Sequence, residues 1–416
     1  MKKLFALALA LLMVLSIVAC GKTEDNNNEG NNDNSGEATQ DPNGGNTQPT
    51  GDYKVAMITD YGDITDQSFN QTTYEAAKAW SEANGVEFNY FKRASDSDDD
   101  CVAMIEKAID EGYNVIVMPG FAFAGTIYEV QDKEEYADVK FVALDVSQWD
   151  VEDCFYNHDE ENNRTDLIDA NNQPHVSNNV YCAVYQEELC GYMAGFAAVK
   201  LGYKHLGFLG GMAVPAVVRY GFGFVQGCNA AAEEMGIANE VTVEYVYGNT
   251  FGPAPEVLAA MDVWFGEKNV EVVFACGGGI YVSATEAAKK AGAKIIGVDV
   301  DQAAIIDNLG AAGMTVTSAM KGLAATVKNV LNETIMNNNW SKFGGKVENL
   351  GLVSGDDPTL NYVQIPMEST QWAEGFTQDD YKALVAAMFN GTVTVSNAID
   401  AMPQVSITVN EYGNIL

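Results

Sequence analysis

The chain has 416 residues, 58 acidic side chains against 23 basic ones, and a formal net charge of −35. That excess of carboxylates argues against nucleic acid and against an anionic membrane surface as partners. With 47% hydrophobic residues the chain can bury a large core, and about 360 residues of ordinary composition exceed one comfortable core and suggest two lobes.

The first twenty residues read as a signal peptide. Lys2 and Lys3 precede an almost wholly apolar run from Leu4 to Val18, too short and too soon followed by polar sequence for a permanent span. The run ends in Ile17-Val18-Ala19-Cys20-Gly21, which resembles a bacterial lipobox and makes Cys20 the expected site of lipidation. An ordinary signal peptide with a chance cysteine is the alternative. Residues 21–52 contain no Val, Ile, Leu or Phe, so they cannot offset chain entropy and read as a disordered tether. As a flexible coil it would span about 30 Å. The expected location is the extracytoplasmic face of the cell membrane, held by lipid alone.

Six short apolar runs then share one pattern: Lys54–Asp60, Asn114–Gly120, Lys140–Asp145, His205–Gly211, Glu271–Gly277 and Lys294–Asp299. Continuous apolar runs, rather than alternating ones, mark strands buried on both faces. Helical segments lie between them, including 68–83, 101–110 and 283–291, with Gly85 and Gly292 placed as helix stops. The fold class predicted is α/β: two Rossmann-like lobes with parallel sheets, joined by a multi-strand hinge. Residues 53–202 with about 313–345 are assigned to one lobe, and 203–312 with about 346–416 to the other. Gly202 marks the expected first crossing. Ligands of such sheets sit beyond the carboxyl ends of the strands, where Asp60, Gly120, Asp145, Gly211, Gly277 and Asp299 fall. The polar segment 149–179 reads as a surface excursion. Six cysteines remain after Cys20; they lack CxxC spacing and are expected as free buried thiols, with one disulfide as the alternative outside the cytoplasm.

The run DYGDITDQSFNQTTYEAAKAW from Asp60 resembles the opening signature of the basic membrane protein family, purine-nucleoside-binding lipoproteins of ABC importers. The likeness continues through EELCGYMAGFAAVKLG, LGFLGGMAVPAVVRYGFGFVQG, VVFACGGG, IIGVDVDQ and TSAMKG, in the same order. It implies the type I periplasmic-binding-protein fold and a purine nucleoside, such as inosine, guanosine or adenosine, held between the lobes. By this resemblance Phe69 and Tyr220 are the stacking aromatics, and Asp299, Asp301 and Lys321 meet the ribose. Asp60 and Asp145 are candidates for the base edge, with Asn70 beside them. Gly211 and Gly277 let backbone approach the ligand, and Glu187 either reaches the site or caps its helix. Implied partners are an ABC permease and its ATPase; a monomer is expected. One departure stands out: where many relatives carry an aspartate, this chain has Gly252. A sugar ligand, or a sensor without a transporter, are the alternative readings.

Rival motifs are weaker. Asp96-Ser-Asp98-Asp-Asp100 opens like a calcium loop but has Cys101 and Lys107 where glycine and glutamate are needed. Gly221-Phe-Gly223-Phe-Val-Gln-Gly227 only resembles a dinucleotide fingerprint, and Gly277-Gly278-Gly279 lacks the lysine of a phosphate loop. His158, His175 and His205 are scattered, so neither metal nor cofactor is expected. Ser68 and Ser318 have no neighbouring base in sequence, so no enzyme is expected.

Overall fold

The computed structural model describes residues 51–151 and 176–416, apart from Tyr61, Asp96 and Trp149, together with Pro49. The leader with Cys20, nearly all of the tether, most of the polar excursion, Cys154, His158 and His175 lie outside the described residues. Asp96 of the calcium-like run does too. No helix among the described residues is long and apolar enough to cross a membrane.

Two sheets carry the fold. The first has the order β11-β5-β4-β3-β1-β2, all pairs parallel, from Lys54–Ile58 (β1), Glu87–Phe91 (β2), Val115–Pro119 (β3), Lys140–Leu144 (β4), Val180–Tyr185 (β5) and Lys346–Leu350 (β11). The second has the order β12-β10-β9-β8-β6-β7-β13. Its strands are His205–Gly210 (β6), Thr242–Tyr247 (β7), Val272–Cys276 (β8), Lys294–Asp299 (β9), Thr315–Lys321 (β10), Val363–Gln364 (β12) and Thr408–Asn414 (β13). Only the short β12 runs antiparallel to its neighbour. In each sheet the first five strands follow the order 2-1-3-4-5, so the chain reverses direction between the first and third strands. The crevice at that reversal is where such sheets hold ligands.

All six expected apolar runs form strands. Val55–Ile58, Val115–Met118 and Phe141–Leu144 have essentially no exposed surface, as a two-sided sheet core requires. The expectation missed the half-exposed edge strand β2, whose sequence EFNYF has no continuous apolar run. Strand β5, Val180–Tyr185, is likewise not among the six expected runs. Gly85 and Gly292 end their helices in the left-handed conformation, as expected.

The lobe boundaries differ from those expected. The fifth strand of each sheet feeds a helix that packs on the other lobe. After β5, the helix Glu187–Lys200 packs on the helix Pro215–Glu234 and on β10; after β10, the helix Leu323–Leu331 packs on the helix Phe69–Asn84. The first crossing is therefore at Gln186 rather than Gly202. Strand β10 belongs to the second sheet, and β11 to the first. The chain then crosses a third time between Leu350 and Val363. Apolarity shows that a segment is buried but not which sheet buries it, so composition could not place these exchanges.

The helix pair 187–200 and 215–234 explains the discounted glycine run. A Cβ on Gly223 or Gly227 would lie 2.1 Å from the carbonyl oxygens of Glu188 or Tyr192, and one on Gly191 or Gly195 would lie 2.3 Å from those of Tyr220 or Phe224. The two backbones touch, and only glycine permits it. GFGFVQG is thus a packing motif that joins the first crossing rigidly to the second lobe.

A further polar cluster secures the carboxyl-terminal strand. Glu244 on β7 is buried and accepts hydrogen bonds from His205 Nε2 (3.0 Å), Lys268 Nζ (3.0 Å), Asn410 Nδ2 (3.2 Å) and the Tyr412 hydroxyl. Burial alone would raise its pKa; these donors outweigh that and hold it near about 2. Parallel strand β13 is thereby pinned to the sheet edge through Asn410 and Tyr412.

Candidate functional site

The carboxyl ends of both sheets face one cavity of about 650 Å³, open space at its mouth included. Asp60 ends β1 and Gly120 ends β3, while Gly277 and Asp299 end β8 and β9 opposite them. Asp145 follows β4 and Lys321 ends β10. Asp145 (φ 61°) and Asp299 (φ 64°) occupy corresponding strand ends in the two lobes, and both adopt the left-handed conformation uncommon for a non-glycine residue. That backbone turns each carboxyl group off its sheet.

One cation organises this floor. Lys321 Nζ bonds the Asp145 carboxylate and lies 3.5 Å from Glu187 Oε1 and 3.7 Å from Asp299 Oδ1. It sits 4.7 Å from the centroid of the Phe69 ring, with Tyr220 and Tyr185 at 5.5 and 5.6 Å. Burial would depress the ammonium's pKa, but the charges of Asp145, Asp299 and Glu187 outweigh burial and hold it well above its ordinary value. Glu187 also accepts from Arg219 Nε at 2.7 Å. Lys321 is the only cation among the described residues bordering the cavity, against Asp60, Asp66, Asp145 and Asp299.

Two carboxylate oxygens at the cavity lack donors. Asp60 Oδ1 accepts from Gly62 N (2.9 Å) and Asn70 Nδ2 (2.7 Å), whereas Oδ2 accepts from none of the described residues. Asp145 Oδ1 is buried and unpaired. Burial raises Asp60 to about 6 and Asp145 to about 7. Glu188, buried behind the site with an unpaired Oε2, is raised to about 7, again chiefly by burial. An acid whose folded pKa exceeds its unfolded value keeps its proton longer in the folded state, so its stabilising contribution is full below the unfolded value and fades as pH rises. The empty protein is therefore expected to melt at a higher temperature at pH 5 than at pH 8. Asp60→Asn and Glu188→Gln should each flatten that slope in a thermal-melt series. A slope of the opposite sign would contradict the burial of these acids.

Of the expected site residues, Asp60, Phe69, Asn70, Asp145, Tyr220, Gly277, Asp299 and Lys321 border the cavity. Asn70 does so as a brace: its Nδ2 bridges Asp60 and Asp66, and its Oδ1 accepts from Asp60 N at 3.3 Å. Tyr220 has almost no exposed surface and packs edge-on against Phe274 at 5.9 Å. It faces inward from its helix and still borders the cavity, with its hydroxyl 3.5 Å from Asp299 Oδ1 and its ring centroid 5.5 Å from Lys321 Nζ. Phe251, absent from the expected set, stands at the cavity from the second lobe as well. Gly211 lies outside the cavity wall and makes room for that ring: a Cβ there would meet Phe251 Cδ1 at 2.5 Å. Glu187 stands behind Lys321, and Asp301 lies away from the cavity, accepting from Ala303 N at 3.1 Å. Gly252 does not border the cavity either. Asp66 was missed as well. It accepts from Ser68 N, Asn70 N and Gln71 N at 2.9–3.1 Å and so caps the helix that presents Phe69. Its place just before SFNQ was the available signal.

The described cysteines 101, 182, 190, 228 and 276 are all buried free thiols, as expected. No group of three or more potential metal ligands occurs among the described residues.

Comparison with known proteins gives this architecture a family. The profile of a family described as PnrA-like ABC transporter substrate-binding protein, Bmp, matches residues 53–356. A Lactococcus lactis subsp. cremoris protein named ABC transporter nucleoside-binding protein BmpA is 24% identical over 264 residues, covering 60% of this chain and 65% of that relative. A Listeria innocua protein named CD4+ T-cell-stimulating antigen is 25% identical over 316 residues, 72% of this chain and 74% of its own. Among solved structures, a solute-binding protein of an ABC transporter system from Aeropyrum pernix K1 superposes with a TM-score of 0.61 at 18% identity. It covers 82% of this chain and 87% of its own, a likeness of fold. The match across most of the two-lobed unit places this chain in the Bmp family of ABC transporter substrate-binding proteins.

Proposed function

We propose that this protein captures a purine nucleoside between its lobes and delivers it to an ABC permease, while Cys20 anchors it by lipid to the extracytoplasmic face of the membrane. The observation that carries the ligand is the pairing of an aromatic wall with unpaired acceptors. Phe69 and Phe251 border the cavity from opposite lobes, and Asp60 Oδ2 and Asp145 Oδ1 have no donor among the described residues. A purine supplies a flat face and N–H donors, and a ribose supplies hydroxyl donors. The printed name of the Lactococcus relative supports the same class. Excess carboxylate and a lysine already neutralised by three acids disfavour phosphate.

Thermal shift of the folded unit Thr47–Leu416 tests this against inosine, guanosine, adenosine, free ribose, glucose and guanosine monophosphate. A nucleoside at about 100 times its Kd should add about 2.7 kcal/mol of stability, whereas the monophosphate and free sugars should add little. Stabilisation by a sugar alone would overturn the reading. In cells, Cys20→Ser should release the protein from the membrane fraction. Unchanged nucleoside uptake on deletion of the gene would favour a sensor over a transporter component.

A further inference from the structure

The two lobes bond each other directly beside the cavity, through residues that, Asp299 apart, the ligand reading leaves unused. Gln302 is fully buried at the turn following β9 and makes three contacts. Its Oε1 accepts from Val298 N (3.0 Å), and its backbone N donates to Ser318 Oγ (3.1 Å), which ties that turn to β10. Its Nε2 crosses the cleft and donates to Gln67 O at 3.2 Å. Gln67 has φ 55°, an unusual conformation for its residue type, and precedes the helix that presents Phe69. Next to it, Ser68 Oγ donates to Asp299 Oδ2 at 2.6 Å, again from one lobe to the other. Both bonds are buried or partly buried, and each links the turn carrying Asp299 to the turn carrying Phe69.

We propose that Gln302 and Ser68 form a latch between the lobes that holds the closed form through protein–protein hydrogen bonds, independently of any ligand. Gln302 is a positioning residue: it does not border the cavity, yet it pins both turns that do. A latch of this kind keeps a fraction of the empty protein closed and slows escape of whatever is inside. The effect of the latch on a nucleoside rests on the function proposed above; its effect on the empty protein does not.

The test uses the folded unit Thr47–Leu416 as wild type, Gln302→Glu and Ser68→Ala. Gln302→Glu keeps the acceptor for Val298 N and removes the donor to Gln67 O; Ser68→Ala breaks the neighbouring bond from the other lobe, should the first variant fail to fold. Without ligand, hydrogen exchange at the amides of residues 68–72 should quicken in both variants, and small-angle scattering should show a larger radius of gyration. With inosine as probe, the dissociation rate should rise about three- to tenfold for loss of one neutral hydrogen bond, with the association rate changed less than about twofold. Unaltered exchange and unaltered size in both empty variants would overturn the latch, whether or not inosine binds. An affinity loss confined to the association rate would also overturn it. Failure of wild type to bind any nucleoside, with the empty-protein differences intact, would sink the ligand reading and leave the latch standing.

Discussion

Replacing Phe69 by alanine is expected to weaken nucleoside binding roughly 5- to 150-fold, with only a small loss of stability in the empty protein. Stacking of a base on an aromatic side chain is worth about 1–3 kcal/mol by alanine substitution, and each 1.4 kcal/mol is tenfold in affinity. Phe69 is partly buried at the head of its helix, and one face of its ring is covered by the Lys321 ammonium at 4.7 Å. Its removal forfeits both the stacking surface and a cation–π contact of about 0.5–2 kcal/mol. Phe69→Trp should retain most of the affinity. Titration calorimetry for binding and thermal melts without ligand separate the two roles. A large drop in melting temperature with unchanged affinity would make Phe69 a core residue.

The second large effect is expected at Lys321. Lys321→Met leaves Asp145, Glu187 and Asp299 facing one another in a buried site, with Arg219 as the one remaining cation paired to the group among the described residues, through Glu187. Breaking a buried ion pair from one side costs about 3–5 kcal/mol, because the remaining charge is uncompensated. The variant should therefore melt several degrees lower at pH 8. Asp145 already lies near about 7 because burial raises it, with Glu187 and Asp299 adding to the rise against the pull of Lys321. Losing the lysine should push it higher, so the variant's deficit should shrink as pH falls toward 5. Lys321→Met combined with Asp145→Asn should recover part of the loss at pH 8. A deficit that is the same at both pH values would show that lost packing, rather than unpaired charge, is the cause. The lysine's position also bears on binding. It lies where β10 leaves the second sheet, in contact with acids from both lobes, so it couples the floor of the site to the crossing.

The same geometry explains why the site suits a neutral ligand rich in donors. A phosphate would need cations with bonding capacity to spare, and Lys321 is already shared among three carboxylates. Unpaired oxygens on Asp60 and Asp145 instead ask for N–H or O–H groups.

By itself the sequence determined the six strands buried on both faces and the strand-end positions of Asp60, Asp145, Gly277 and Asp299. These are local properties: a continuous apolar run between turn residues means the same thing wherever the chain later packs it. Phe69 and Lys321 were legible through motif resemblance, and Phe69 shares the cavity with its sequence neighbours Asp66 and Asn70. Tertiary structure alone decided the rest. Tyr220 and Phe251 are both aromatic residues in glycine-rich surroundings that border the cavity, Tyr220 as a buried side chain on the inward face of the helix 215–234 and Phe251 from the turn after β7. Asp299 and Asp301 are two residues apart, yet the left-handed turn at Asp299 sends one to the cavity and the other to a helix start. The packing of the helix 187–200 on β10, that of the helix 323–331 on the helix 69–84, and the bond from Gln302 to Gln67 join residues over a hundred positions apart. No local pattern encodes such pairs, because they form only when two separately built sheets are brought edge to edge.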